Sequence, residues 1–358
     1  MKSNVYIDGG AASCAAGADI AAIWNAMAGG RQLRSPLPCP AFEGWPWPEV
    51  FLVEEPDAAA LQVDRKLLRT MEKQSRLMLF GAAQALAAHP LPADADRSRA
   101  GLYLGLPTVD EAVPPMTVLE TMHEEGRTVL DSELLHREVP AFFGLSTLNS
   151  NACAHISGTF GLCGSMGAYS PYADAGLQAV IDAALSVANG ENTCALAGAV
   201  SPKINPPLLL QYEHNGWLAD ARRVPGEGVA FAMLSGAAAA DSVRIAGYAR
   251  GFILGPGQAA ATRARVQQRA LAMAGIGADQ VDWWLPDGAA DVTGDLGPAG
   301  PVLDLLLAVH AIRHRKRLRF VAHGQPQAEE AGLVRHVLVG AQGPEGQYAA
   351  VVVSGESK

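Results

Sequence analysis

Cysteine is scarce in this sequence, and the few cysteines present fit neither a metal site nor a disulfide framework. Five occur among 358 residues, an odd number with no CxxC pair. This pattern implies neither a zinc knuckle nor paired disulfides. Reduced thiols are typical of the cytoplasm, so we predict a cytoplasmic protein, and we expect neither metal nor cofactor. The five are Cys14, Cys39, Cys153, Cys163 and Cys194.

Long hydrophobic runs and an excess of positive charge are also missing. No apolar run approaches the ~20 residues that span a bilayer. The first ten residues lack the apolar stretch of a signal peptide, so none is expected. A net charge of -9 argues against binding to nucleic acid or to an anionic membrane. What the chain does have is 49% hydrophobic residues, enough for a large buried core.

Apolar segments with strand and helix spacing alternate along the chain. This alternation predicts a layered α/β fold, and near-continuous apolar strands predict buried central sheets. We expect one structural unit made of two related halves, residues 1–240 and 241–358, with an insertion at about 107–140. Long helices are expected at 64–88, 174–189, 258–275 and 301–314, and strands include 281–285, 318–322 and 348–354.

A series of short motifs, in order and at matching spacing, resembles the β-ketoacyl synthase family of the thiolase fold. The resemblance covers nearly the whole chain and implies two related βαβαβ halves in α-β-α-β-α layers. The motifs include the opening strand 5–10, the glycine-spaced segment 158–165, the helix and strand at 178–199, and the Gly226-Glu227-Gly228 turn.

The catalytic residues of that family do not carry over to this sequence. The resemblance places Ala173 where active members have a cysteine nucleophile at the start of a buried helix. Asp287 and Asp295 lie nearest to the positions of two catalytic histidines, and the family's gating loop becomes 340–343. An alanine methyl group cannot be acylated, and a carboxylate would repel a developing enolate.

The resemblance therefore implies a chain-length-factor-like subunit that pairs with an active ketosynthase. The implied partners are that ketosynthase, an acyl carrier protein and a growing acyl chain, as in type II polyketide and aryl polyene synthases. The implied tunnel and interface residues are Thr108, Met116, Leu119, Phe143, Tyr169, Pro171 and Tyr172.

A stand-alone acyltransferase or hydrolase with a displaced nucleophile stays open as the alternative. Cys153 and Cys163 would be its thiol candidates, but neither is expected at a helix start that would activate it. Ser165 and Ser170 lack the Gly-x-Ser-x-Gly elbow of serine hydrolases.

One basic cluster stands out at 310–319. Its cations suit a helix C-terminus, where they complement the dipole. They could also dock an acidic carrier protein, a role we assign to Arg313, Arg315, Lys316 and Arg317. His310 and His314 have metal-ligand spacing, but no third ligand is evident, which favours an ordinary solvated helix end.

Overall fold

A computed structural model describes most of the chain. It covers residues 4–91, 95–108, 114–129, 132–139, 141–146, 148, 150–221, 223–238, 241–285, 290–319 and 328–355. The strands are β1 (Tyr6–Cys14), β2 (Ser35–Pro36), β3 (Glu49–Val50), β4 (Ala100–Gly105), β5 (Met166–Tyr169), β6 (Cys194–Val200), β7 (Gly228–Ser235), β8 (Val243–Phe252), β9 (Trp283–Leu285), β10 (Lys316–Arg319), β11 (Ala328–Ala331), β12 (His336–Gln342) and β13 (Gln347–Ser354).

Helices fill the intervals between these strands. They are α1 (Ile20–Ala28), α2 (Ala58–Leu61), α3 (Arg65–Leu68), α4 (Lys73–Ala88), α5 (Pro114–Glu124), α6 (Ser132–Glu138), α7 (Phe143–Ser146), α8 (Asn151–Phe160), α9 (Ala173–Ala188), α10 (Pro206–His214), α11 (Ala259–Ala274), α12 (Ala290–Thr293) and α13 (Ala299–His314). Among the described residues, none of the helices has both the length and the apolar character that crossing a membrane requires.

Nine strands form one continuous sheet, in the order β5-β4-β6-β7-β1-β8-β13-β12-β9. The two halves meet where β1 and β8 pair antiparallel over only two residue pairs. On either side of that junction, β9, β12, β13 and β8 repeat the order and directions of β4, β6, β7 and β1. The predicted relationship between the two halves is therefore visible in the strand topology.

Helices α9 and α13 form the central layer, packed between the part of the sheet from the first half and the part from the second half. Both contact strands of the first half and strands of the second, and they contact each other. Helix α4 covers the outer face of the first half, and α11 covers the outer face of the second. The layers are thus α-β-α-β-α, and the predicted thiolase-like α/β architecture is confirmed.

Close backbone approach brings the central helices and strands together. A Cβ atom at Gly176 in α9 would lie 2.1 Å from the carbonyl oxygen of Pro298, just before α13. A Cβ atom at Gly105 in β4 would lie 2.7 Å from the backbone nitrogen of Gly176. Glycine is required at both places because no side chain fits the contact.

Some element bounds differ from the sequence prediction. The helix expected at 64–88 is broken at 69–72, where Glu72 becomes the N-cap of α4. The segment read as a gating loop, 340–343, is mostly strand, because Gly340 and Ala341 continue β12 in register with β13. The strand expected at 318–322 begins earlier, as β10, and pairs with β11 outside the main sheet.

Candidate functional site

Ala173 is the first residue of α9, the long central helix. Eleven residues of α9 are buried, so the helix runs through the interior of the molecule. Tyr172 is the N-cap, and its side chain makes no capping hydrogen bond. The helix N-terminus carries partial positive charge that would favour a thiolate, but the side chain placed there is a methyl group.

Asp295 reaches the same place from the loop before α13. Its backbone is held on both sides: its N–H donates to the Val224 carbonyl at 2.7 Å and its carbonyl accepts from the Gly226 N–H at 3.0 Å. Its carboxylate accepts from Arg223 Nη1 and from the Gly297 N–H, both at 3.0 Å. Asp295 is therefore an ion-paired acceptor, fixed by four hydrogen bonds.

A cavity of about 410 Å3, counting its open mouth, brings these residues together. Trp217 lies between the guanidinium of Arg223, 4.9 Å from its ring centroid, and the ring of Tyr212 at 5.0 Å. The lining comprises Pro107, Pro171, Tyr172, Ala173, Pro202, Leu208, Gln211, Tyr212, Trp217, Arg223, Asp295, Gly297, Pro298, Gln342 and Pro344.

Among the described residues that line this cavity, none carries a thiol, an imidazole or an aliphatic hydroxyl. The phenol of Tyr212 is also unsuited to nucleophilic attack, because burial and the nearby Asp295 carboxylate raise its pKa well above the ordinary value. What the cavity offers is an ion pair, aromatic surface and two amide side chains. Such groups can bind and position, but they do not form the base–nucleophile pair that acyl transfer requires.

Asp174 follows Ala173 and is a buried carboxylate. It is 4% exposed, and its Oδ2 accepts from Gln178 Nε2 at 2.5 Å. Burial raises the pKa of Asp174, with a smaller contribution from Glu345 and an opposing one from the Gln178 hydrogen bond. An ionised carboxylate here would also oppose a thiolate at position 173.

We expect Asp174→Asn to raise the free energy of unfolding at pH 7 by about 1 kcal/mol, the scale of relieving a poorly solvated polar group. A carboxyl group whose pKa is raised on folding favours the native state at low pH and loses that contribution as pH rises. The advantage of the variant should therefore shrink below about pH 4. Urea denaturation of the wild type and the variant, at pH 7 and again below about pH 4, measures the difference in the free energy of unfolding. A stabilisation by Asp174→Asn that is larger in acid than at pH 7 would contradict the prediction.

The predicted interface residues lie around β5 and the turn that follows it. The Tyr169 hydroxyl donates to Asp182 Oδ2 at 2.6 Å, and Arg250 pairs with the same carboxylate at 2.6 Å. Pro171 and Tyr172 line the Ala173 cavity. Tyr169 is thus held inside its own chain, whereas its two neighbours face the cavity.

The predicted tunnel residues are spread over several elements. Leu119 on α5 is 55% exposed. Phe143 is half-buried in α7, and the neighbouring Phe142 is the exposed member of the pair at 45%. Met116 belongs to α5, but its side chain lies outside the described residues, as does the whole of Asp287.

Thr108 lines a second cavity, which we call the Thr108 cavity. It measures about 270 Å3 with its mouth included, and Pro107 borders both it and the Ala173 cavity. Its lining comprises Glu72, Gln74, Ser75, Met78, Leu106, Pro107, Thr108, Leu148, Ala152 and Val200. The sequence indicated Thr108 but gave no signal for the residues of α4 that face it.

Two of the four cations in the predicted docking cluster are ion-paired within the chain, and a third is hydrogen-bonded to backbone carbonyls. Lys316 pairs with Glu329 at 2.9 Å and Arg317 with Glu330 at 3.0 Å. Arg313 donates to the backbone carbonyls of Asp8 and Asp241, each at 2.7 Å. Arg315, the fourth member, is exposed. Three of these four cations are therefore not free to meet a partner, and docking at this cluster stays a prediction.

A different cationic cluster is open to solvent. Arg65, Lys66 and Arg69 lie on and just after α3, and all three are exposed. In the part of the chain that the structure describes, none of them has an ion-pair partner. Sequence reasoning missed this cluster because it read 64–88 as one helix and did not weigh its exposed end.

His310 is not solvated as expected. It is half-buried between the Trp24 ring, 4.8 Å away, and the His314 ring, 4.2 Å away. Burial, followed by the charges of His314 and Lys316, lowers the pKa of His310 to about 4. Within the described residues, no third His, Cys, Asp or Glu joins the pair to make a metal site.

The two thiols considered as displaced nucleophiles lie elsewhere. Cys153 belongs to α8, and burial raises its pKa to about 11, which disfavours a thiolate. Cys163 is exposed, in the turn after α8. Neither residue lines the Ala173 cavity.

Comparison with known proteins identifies the family. The family model described as "Beta-ketoacyl synthase, N-terminal domain" matches residues 2–240. No curated protein matches the chain.

Three similar solved structures each align over 100% of both chains. The ishigamide ketosynthase/chain length factor has a TM-score of 0.80 at 16% identity. The AntDE:AntF structure, a type II PKS acyl-carrier protein in complex with its ketosynthase bound to the hexaketide, has a TM-score of 0.76 at 16% identity. A β-ketoacyl synthase from Burkholderia phymatum STM815 has a TM-score of 0.75 at 18% identity. At these identities the likeness establishes the fold.

Proposed function

The chain belongs to the β-ketoacyl synthase family, and from that premise we propose that it is a non-catalytic subunit of the chain-length-factor kind. It pairs with an active ketosynthase and bounds the space into which the acyl chain grows. The condensation chemistry belongs to the partner. The acyl chain is carried by an acyl carrier protein, as in type II polyketide and aryl polyene assembly.

The observation that carries this proposal is the content of the Ala173 cavity. Where the family places its nucleophile at a helix start, this chain has the methyl group of Ala173. Where it places a catalytic histidine, the nearest residue is Asp295, ion-paired to Arg223. Losing the nucleophile and the base together while keeping the fold favours a subunit retained for shape and contact.

The outer edge of β5 supports pairing with a second chain. The strand lies at the end of the sheet, and Leu102 and Leu106 donate to the carbonyls of Ser165 and Tyr169. Because peptide groups alternate in direction along a strand, those of Met166 and Ala168 point away from β4. An exposed edge of this kind is a template for strand pairing across a dimer interface.

Exposed apolar side chains are a second feature that supports a partner. Six of them follow one another in sequence within 119–148, where single exposed apolar residues would be ordinary but a series indicates a covered face. A ketosynthase seated there would shield them, which predicts poor solubility of the chain alone. They are Leu119, Val129, Leu135, Phe142, Leu145 and Leu148.

The exposed cations of α3 supply a surface for an acidic carrier protein. Arg65, Lys66 and Arg69 concentrate positive charge on one short element of a chain whose net charge is -9. Complementary charge of this kind steers the approach of a partner more than it fixes its final affinity. We therefore propose α3 as a further carrier-docking surface, beside the predicted cluster 313–317, in which Lys316 and Arg317 are ion-paired within the chain.

The proposal predicts that Thr108 helps to set product length. Enlarging it to phenylalanine should fill part of the Thr108 cavity and shorten the main product by one or more two-carbon units. The measurement is product mass from the reconstituted complex with malonyl-loaded carrier protein. Thr193→Phe is the matched control, because Thr193 is exposed in the turn before β6 and borders neither cavity.

Co-purification of this chain with a ketosynthase in a one-to-one ratio would support the proposed role. So would shorter products from Thr108→Phe but not from Thr193→Phe. Products of unchanged length from Thr108→Phe would contradict the proposal that this chain bounds the acyl tunnel. Acyl transfer by the chain in the absence of a ketosynthase would favour the alternative, an acyltransferase or hydrolase with a displaced nucleophile.

A further inference from the structure

The Ala173 cavity has an open mouth but almost no interior. It measures about 410 Å3 with the mouth included, yet its internal space is only about 20 Å3. One water molecule needs roughly 10–15 Å3 of such space, so the interior holds one or two waters and no acyl chain. The lining side chains therefore fill the space that an acyl group at position 173 would need.

Trp217 is the largest of these lining side chains, and two other aromatic rings of the cavity pack against it. The Tyr212 ring lies 5.0 Å away at an interplanar angle of 90°, and the Tyr172 ring lies 6.1 Å away at 82°. Such edge-to-face contacts stabilise aromatic pairs beyond the area that they bury. Tyr172 directly precedes Ala173, so the indole of Trp217 packs beside the start of α9.

Arg223 holds the face of the same indole. Its guanidinium carbon lies 4.9 Å from the centroid of the Trp217 ring, within the range of a cation–π contact. The guanidinium is fixed in turn by Asp295, 3.0 Å from Nη1, and Asp220 lies 4.0 Å from Nε. Because the backbone hydrogen bonds of Asp295 anchor this ion pair, Trp217 cannot turn away from the cavity without losing both its cation and its aromatic neighbours.

We propose that Trp217, held by Arg223 and Asp295, closes the Ala173 cavity to acyl chains. Trp217 is thus a specificity-determining residue, because it leaves the ketosynthase as the one subunit that takes up the chain. Restoring a nucleophile at position 173 does not by itself restore acyl uptake. The inference rests on the proposed function in one respect, since it takes carrier-borne acyl chains to be the molecules that are excluded.

The test introduces a thiol by Ala173→Cys and compares two alkylating reagents of the same chemistry but different size. The full chain, in complex with its ketosynthase, is treated with iodoacetamide or with N-octyl iodoacetamide, and peptide mass spectrometry gives the alkylation rate at each cysteine. Ala173 is half-buried rather than enclosed, so the small reagent reaches position 173. Cys163 is exposed and does not line the cavity, so it supplies the intrinsic rate of each reagent.

Relative to Cys163, the octyl reagent should alkylate position 173 at least about 30-fold more slowly than iodoacetamide does. This is the scale of the penalty for forcing extra groups among packed side chains. Because both rates are normalised to Cys163 of the same molecule, low reactivity of the introduced thiol cannot produce this difference between reagents.

Trp217→Ala, combined with Ala173→Cys, should raise the octyl rate at position 173 by about tenfold or more, because it removes the side chain that closes the cavity. Trp45→Ala is the matched control in the same background. Trp45 is half-buried like Trp217 and also packs edge-to-face on Tyr212, 6.0 Å away, but it does not line the cavity. The control should keep the octyl reagent out.

Equal normalised rates of the two reagents at position 173 in the Ala173→Cys chain would overturn the inference, and that comparison does not depend on either tryptophan variant folding. An equal gain in the octyl rate from Trp45→Ala and Trp217→Ala would overturn it as well. Either result would leave the proposed function standing, because the wild-type chain has no thiol at this position. A chain that forms no complex with a ketosynthase would instead overturn the proposed function.

Discussion

Replacing Glu227 with alanine is expected to lower the free energy of unfolding by about 3–5 kcal/mol, the range for breaking a buried ion pair. Glu227 is 2% exposed and accepts from Lys73 Nζ at 2.5 Å. It also accepts from the backbone N–H groups of Val53 at 3.2 Å and Ile204 at 3.3 Å. Its removal therefore leaves a cation and two buried donors without their acceptor, which is costlier than losing one surface contact.

The matched control is Glu55→Ala, which breaks a second ion pair made by the same helix. Arg76 of α4 pairs with Glu55, whose side chain is 40% exposed. An exposed pair of this kind contributes about 0–1 kcal/mol. Urea denaturation of the full chain, followed by circular dichroism, compares the two variants. Equal effects of Glu227→Ala and Glu55→Ala would contradict the assignment of Glu227 as a buried anchor.

Replacing Ala168 with proline is expected to weaken binding of the partner ketosynthase by at least about 100-fold, enough to abolish co-purification. The Ala168 N–H points away from β4, so proline removes no hydrogen bond between the residues that the structure describes. Proline is tolerated at such outward positions of an edge strand, but it cannot donate to a strand added there. The fold should therefore survive while the paired edge is lost.

Ala168→Val separates loss of the donor from a change of side chain. Valine keeps the N–H and favours strand geometry, so this variant should still co-purify with the ketosynthase. Circular dichroism checks that both variants retain the native secondary structure. If Ala168→Pro binds the partner as well as Ala168→Val does, β5 is not the edge that pairs.

Local spacing along the chain was enough to predict the layered fold and a central helix at 174–189, one residue later than α9 begins. The role of position 173 came from the family resemblance. The topology then brings Asp295 to the Ala173 cavity across more than a hundred residues. That meeting was implied by the family resemblance rather than by any spacing.

Long-range pairs could not be predicted from the sequence. Arg223 and Asp295 are 72 residues apart, and only the fold shows that one neutralises the other. The cluster at 313–317 looks strongly basic in the sequence, yet β11 returns alongside it with Glu329 and Glu330. Local charge counts therefore overestimated this surface, because the opposing carboxylates arrive through strand pairing.

The burial of individual polar side chains could not be predicted from the sequence either, although it decides which of them face a cavity. Gln74 and Gln84 lie on one helix, but only Gln74 lines the Thr108 cavity. Likewise, His310 reads as part of a basic helix end, whereas the fold packs it against Trp24. Helical spacing alone does not identify which side of an alanine-rich helix faces a cavity.

We expect this chain to remain unacylated and to serve a catalytic partner. Intact-protein mass spectrometry after incubation with malonyl- and acyl-thioester donors tests it most directly, first on the chain alone and then on its one-to-one complex with a ketosynthase. The account predicts that only the ketosynthase gains acyl mass, and that this chain keeps its original mass in both experiments. Acyl mass on this chain in the absence of the ketosynthase would contradict the account, and the labelled residue would identify the nucleophile.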